Sequence, residues 1–181
     1  MATKITTKHE HSKNLRRTAF HEAGHAVMAV LLKLPFRYVT IVPTAEFLGG
    51  CNFRTPSYAQ KLRLVAQNPN AWDRDRLENE ILFYMAGAIA EKRISGRIEA
   101  RGSSSDRHCA SDLATAALRY AAPEEVVAYL KYLSVRASNL VNSPEVWAQV
   151  VLIAQRLLKI KKLTQTEVKE VLGVGKFAAR T

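Results

Sequence analysis

Thr18-Ala19-Phe20-His21-Glu22-Ala23-Gly24-His25-Ala26-Val27 is the stretch on which the reading of this chain turns. On a helix, residues four apart lie one above the other, so the imidazoles of His21 and His25 can reach a single ion. Glu22 projects beside that ion, where it can accept a proton from water without ligating the metal itself. A catalytic zinc takes three protein ligands, keeps one position open and lowers the pKa of its water to about 7. That is the chemistry the pattern H-E-x-x-H serves.

At this composition the pattern arises by chance in about one sequence in a hundred. The plainer reading is an amphipathic helix whose histidines face solvent or sit satisfied in a core. The neighbours argue against it. Ala19, Phe20, Ala23, Ala26, Val27, Val30, Leu31 and Leu34 make the helix largely apolar, as a buried helix is. Two imidazoles and a carboxylate buried there need partners, and a metal supplies them.

The chain's 181 residues suffice for one domain with a proper core, and 48% hydrophobic with 24% charged residues is a globular composition. The first thirteen residues are polar and basic, and the apolar run Ala26 to Leu32 is too short to cross a bilayer. No transmembrane segment is expected. Cys51 and Cys109 are too few for a disulfide framework, which points to a reducing compartment, the cytoplasm. The net charge of +11 is spread over the N-terminal tail, Arg97 to Arg107, and Lys159 to Lys162. No basic stripe is interleaved with aromatics, so nucleic acid is not an expected partner.

Residues 1–13 lack an apolar period and read as a flexible basic tail, with His9 and His11 solvated. A single domain follows over 14–173, with a short tail at 174–181. Its first helix runs from Asn14 to Leu34 and ends at Pro35. Arg37 to Val42 and Phe47 to Phe53 read as two strands joined by a turn. Gly49 and Gly50 weaken the second strand but admit a close backbone, so it is either a bulged hairpin or an edge for an extended substrate. Tyr58 to Ala66 reads as a short helix. Asp73 caps a long one to about Arg93, stopped by Gly96, with Leu77, Ile81, Tyr84, Met85, Ala88 and Ile89 on its buried side. Arg97 to Ser104 reads as a loop, and a third helix spans Ser105 to Tyr120. Pro123-Glu124-Glu125 and Ser143-Pro144-Glu145 each open a further helix. Thr164 to Glu167 is a capping box for a final helix ending at Gly173. The fold class expected is mainly α with one small antiparallel β hairpin.

The run Thr18 to Ala26 resembles the protease domain of the FtsH family, membrane-anchored AAA+ zinc proteases. The resemblance continues in Val39-Thr40-Ile41-Val42-Pro43, in Leu48-Gly49, in Ala86-Gly87-Ala88-Ile89-Ala90-Glu91 and in Gly102-Ser103-Ser104-Ser105-Asp106. It resumes in Ile153 to Leu158 and from Leu163 to Leu172, and thins between Thr115 and Val150. It implies a helical zincin-like protease domain. It also favours the substrate-edge reading of the second strand, with Leu48, Gly49 and Gly50 against the substrate.

Two histidines do not complete a zinc site. On residue type alone the later donors are His108, Glu80, Glu91, Asp106 and Asp112. The resemblance assigns the role to Asp106, since the Gly102-to-Asp106 segment aligns with the family's ligand without a gap. Glu91 then stands behind a histidine as acceptor for its N–H. His108, two residues past Asp106, points nearly the opposite way on a helix, and Cys109 reads as a buried structural thiol.

The family's ATPase module and anchors have no counterpart within these residues. Gly173-Val174-Gly175-Lys176 is no phosphate loop: Glu170 stands where its first glycine belongs, and Phe177 where its hydroxyl does. The expected function is a zinc-dependent, ATP-independent endopeptidase acting on unfolded or flexible protein segments, with Glu22 as general base. The alternative is a non-catalytic or regulatory zinc module, an adaptor or a peptidase for one signalling target. A protein or peptide substrate is implied. A separate ATPase and a second copy of the chain are the further partners this reading admits.

Overall fold

A computed structural model describes residues 2–43, 49–53, 74–98, 100–118 and 121–174. In chain order its elements are α1 (Ala2–Leu31), β1 (Phe36–Thr40), β2 (Gly50–Phe53), α2 (Arg74–Ser95), α3 (Ala100–Ala117), α4 (Pro123–Asn142), α5 (Pro144–Ile160), β3 (Lys162–Thr164) and α6 (Gln165–Val171). The fold is mainly α with a small antiparallel sheet, as expected.

α1 is the central post, packed against α2 on one side and α5 on another. Ala19, Ala23, Ala26 and Ala29 are fully buried on it, and their small side chains let neighbouring helices come close. Phe20, Val27 and Met28 fill the space beside Phe36, Ile41, Ile153 and Leu157. Each such side chain contributes about 1.5–3 kcal/mol on burial. α2 lies between α1 and the pair α3 and α4, against which Leu77, Ile81 and Leu82 form a second core with Leu113, Leu133 and Ala137.

That sandwiching corrects one expectation. Leu77 and Ile81 are buried as expected, but Tyr84, Met85, Ala88 and Ile89 are only half-buried, while Phe83, Ala86, Gly87, Ala90 and Glu91 are buried. A helix with partners on two sides has no single apolar stripe.

Three boundaries also differ. α1 begins at Ala2, so residues 2–13 are helical where a flexible tail was expected. Extending an existing helix adds one hydrogen bond per residue fixed and needs no new nucleus. α3 begins at Ala100, so Gly102 and the serines lie in its first turns and not in a loop. The sheet has a third strand: β3 pairs antiparallel with β1, Val39 opposite Leu163, and the order is β2-β1-β3. On β1's other side Thr40 faces Gly50 and Val39 faces Cys51.

α1 stops at Leu31, short of the expected Leu34, with Lys33 at φ 57°, while the other end signals fall where expected. Pro123 and Pro144 open α4 and α5, Gly96 takes φ 74° just beyond α2, and the Thr164 hydroxyl accepts from the Glu167 N–H at the start of α6. The expected helix at Tyr58 to Ala66, the Asp73 cap and Leu48 lie outside the described residues. Among the described residues no helix is long and apolar enough to cross a membrane.

Candidate metal centre

One turn of α1 places His21 and His25 side by side, and α3 brings Asp106 across to them. The two Nε2 atoms lie 3.1 Å apart, and each lies 3.2 Å from Oδ2 of Asp106. The result is a nearly equilateral triangle of donors, with both histidines buried and Asp106 half-buried. Tetrahedral zinc, with N and O ligands at about 2.0–2.1 Å, separates its donors by about 3.3–3.4 Å. The three residues fit that ion and leave its fourth direction for a water or substrate.

Each ring is held from behind. Nδ1 of His25 donates to the Phe83 carbonyl at 2.9 Å, and Nδ1 of His21 faces Oε2 of Glu91 at 3.3 Å. Both rings thus turn Nδ1 away from the centre and Nε2 toward Asp106, the orientation in which Nε2 could ligate a metal. Glu91, 3% exposed, accepts in turn from Nη2 of Arg17 through its other oxygen.

The electrostatics of the metal-free site call for a cation. Burial opposes a charge on His21, but its hydrogen bonds to Asp106 and Glu91 and the charge of Glu22 outweigh it and raise its pKa from 6.5 to about 10. Burial alone would lift Asp106. The charge of His25 and the hydrogen bonds from both histidines hold it instead well below the usual carboxylate range. A buried carboxylate set between two imidazoles favours positive charge at this point, carried by a proton or by a metal ion.

Glu22 is 6% exposed and lies outside the donor triangle. Burial raises its pKa, and the charges of His25 and His21 pull it partly back. A carboxylate whose pKa is raised by burial is a stronger base than a solvated one. Its neighbour on the sheet side is Gly49, just before β2. A Cβ there would stand 3.0 Å from Oε1 of Glu22 and 2.9 Å from the Thr40 carbonyl oxygen. Gly50, by contrast, faces open space. Among the described residues β2 is an edge strand, and Gly49 just before it lies beside Glu22.

The donors weighed and set aside sit elsewhere. His108 is exposed and pairs with Asp112 one turn on, at 3.4 Å. Glu80 is buried on α2 but is not part of the donor cluster. Cys51 on β2 is close enough to feel Glu22 and Asp106. Burial first, and those two charges second, push its thiol well up, so it stays protonated and is no nucleophile.

Three contributors escaped the sequence reading. The Phe83 carbonyl and Arg17 act on partners 58 and 74 residues away. Gly87 supplies room: a Cβ on it would overlap Nε2 of both histidines. The run around Gly87 belongs to the resemblance, and no local pattern announces its role.

A helical domain with a small sheet, carrying two histidines and an aspartate around one point with a buried glutamate beside it, has the make-up of a metallopeptidase domain. The family model of Peptidase family M41 matches residues 8–145. The chain belongs to that family. It is similar to the ATP-dependent zinc metalloprotease FtsH of Rickettsia felis, 31% identical over 118 residues that cover 64% of this chain and 17% of that protein. The FtsH proteins of Magnetococcus marinus and Hahella chejuensis are 32% and 31% identical over 56% and 55% of this chain, and 14% and 15% of their own lengths. The chain therefore spans about a sixth of the length of the curated relatives it matches.

Proposed function

We propose that this chain is a zinc-dependent endopeptidase that hydrolyses peptide bonds in unfolded or flexible protein segments. The observation that carries the reading is the donor triangle of His21, His25 and Asp106, both rings anchored through Nδ1, with buried Glu22 alongside. These three residues would hold the zinc, which when bound lowers the pKa of water and polarises a carbonyl. Glu22 takes the proton from the attacking water and passes it to the nitrogen of the leaving amine. Glu91 fixes the ring of His21. The edge of β2, entered through Gly49 and Gly50, supports an extended substrate backbone, a role the resemblance extends to Leu48.

The catalytic unit we assign is 14–173, and two cysteines without a disulfide suit a cytoplasmic setting. An extended segment must be free to enter. Opening a folded domain costs about 5–15 kcal/mol, so a stable domain presents such a segment only rarely. These 181 residues contain no phosphate loop to couple that cost to ATP, and a separate ATPase acting in trans would widen the substrate range. The test is digestion of a disordered protein and of a tightly folded one by the zinc-loaded chain, each with and without ATP. Cleavage of the first alone, unchanged by ATP and stopped by a chelator, is expected. Equal digestion of both would overturn the substrate class, and cleavage of neither with zinc bound would favour a non-catalytic module.

A further inference from the structure

We infer that Arg17 is a positioning residue for the metal centre: it clamps Glu91 in the orientation that holds the ring of His21 with Nε2 toward the ion. The inference rests on the reading of His21 as a zinc ligand. Arg17 precedes His21 by four residues, so it stands one turn before it on the same face of α1. Its side chain is 12% exposed and that of Glu91 4% exposed. The Glu91 carboxylate is spanned, Oε1 accepting from Nη2 of Arg17 and Oε2 facing Nδ1 of His21.

The division of the two oxygens is what matters. A carboxylate that loses the guanidinium on one oxygen is less tightly fixed about its last bond, and the oxygen facing Nδ1 is less firmly placed. With one oxygen tied to a guanidinium on α1, the other is fixed relative to the same helix that carries His21. Arg17, Glu91 and His21 thus form one rigid unit across α1 and α2. The planar fork of arginine suits this better than an ammonium, which is a point charge with freely rotating donors. Partners behind a metal-binding histidine typically change metal affinity by about 10–100-fold when removed. Arg17 acts one step further back and, through Glu91, belongs at the lower end of that range.

The test is zinc affinity, measured by competition with a chromophoric chelator, for wild type, Arg17→Met and Arg17→Lys. Arg17→Met should bind about tenfold more weakly, with Arg17→Lys in between. The ¹⁵N chemical shifts of His21 in the zinc-loaded proteins supply the readout that a merely structural role would not move. Wild type should show a slowly exchanging Nδ1 proton held by Glu91, and Arg17→Met a faster-exchanging one with a shifted Nδ1 resonance. Should Arg17→Met lose its helical signal, Arg17→Gln carries the same comparison, a neutral donor against the charged Lys variant. A wild type that binds zinc tightly beside an Arg17→Met that binds within twofold of it, with unchanged His21 shifts, overturns the positioning role alone. A wild type that takes up no zinc overturns the metal reading and this inference with it.

Discussion

A Cβ built on Gly87 would stand 2.3 Å from Nε2 of His25, far inside any allowed contact. It would also stand 2.8 Å from Nε2 of His21, so one methyl group would collide with both Nε2 atoms. Gly87→Ala should therefore be a selective lesion. In a helix interior the change favours the helix by about 1 kcal/mol, whereas forced overpacking costs about 1–3 kcal/mol. The fold should survive with little net change while the rings are pushed apart. Zinc per chain should fall far below one with the circular dichroism unchanged. Retention of one zinc per chain would show that the rings have room that the geometry denies them.

The third ligand separates cleanly by mutation. Asp106→Ala should strip zinc, because two imidazoles alone hold it poorly, while Asp112→Ala should leave it in place, since Asp112 faces exposed His108. Glu91→Gln should weaken zinc by about 10–100-fold without abolishing binding. Metal analysis of the three purified variants decides the matter. Full occupancy in Asp106→Ala would return the role to another acid.

Zinc uptake should release protons. In the metal-free protein the pKa of His21 is about 10 against 6.5 for an unperturbed histidine, so the ring is charged at neutral pH and zinc must displace that proton. Apparent zinc affinity should climb by about tenfold per pH unit across neutral pH and level off near the raised pKa. The stability of the metal-free protein runs the other way. A pKa raised on folding contributes stabilisation that is complete below the unfolded value of 6.5 and is lost as pH rises through about 10. Calorimetry in two buffers of different ionisation enthalpy measures the proton count. Zinc binding with no proton released between pH 7 and 8 would contradict this charge state.

How far the sequence carried the account depends on how local each feature is. His21, Glu22 and His25 were legible because a four-residue helical spacing states their geometry outright. Asp106 is 81 residues from His25 and came only through the resemblance of its segment. The start of α3 was misplaced because Gly102 and three serines are poor helix formers, and tertiary packing, with Ser103 fully buried, overrode their preference. β3 was invisible for another reason. Three residues with one buried side chain, Leu163, give no period to detect, and the lysines before it read as a solvated basic run. The helical extension over residues 2–13 likewise leaves no apolar signature. Arg17 and the Phe83 carbonyl illustrate the same limit, since each acts on a partner that only folding brings near.

Substrate access supplies a further expectation. Gly49→Val would place a branched side chain against Glu22 Oε1, Thr18 and the Thr40 carbonyl, at the entrance to β2. Zinc should stay, because none of the three donors is touched, while peptide hydrolysis should fall at least tenfold. Steady-state kinetics with metal analysis on the same sample would show it. An unaltered rate would remove Gly49 from the working face.

The central claim is that Glu22 moves the proton while His21, His25 and Asp106 hold the metal, and one substitution tests it. Glu22→Gln keeps the shape of the side chain and removes its capacity to accept a proton. Wild type and Glu22→Gln should be compared for zinc per chain and for hydrolysis of one disordered protein substrate. The account predicts close to one zinc per chain in both, with hydrolysis abolished in the variant. A variant that holds zinc and still cuts at the wild-type rate would contradict the assignment of Glu22 as the base.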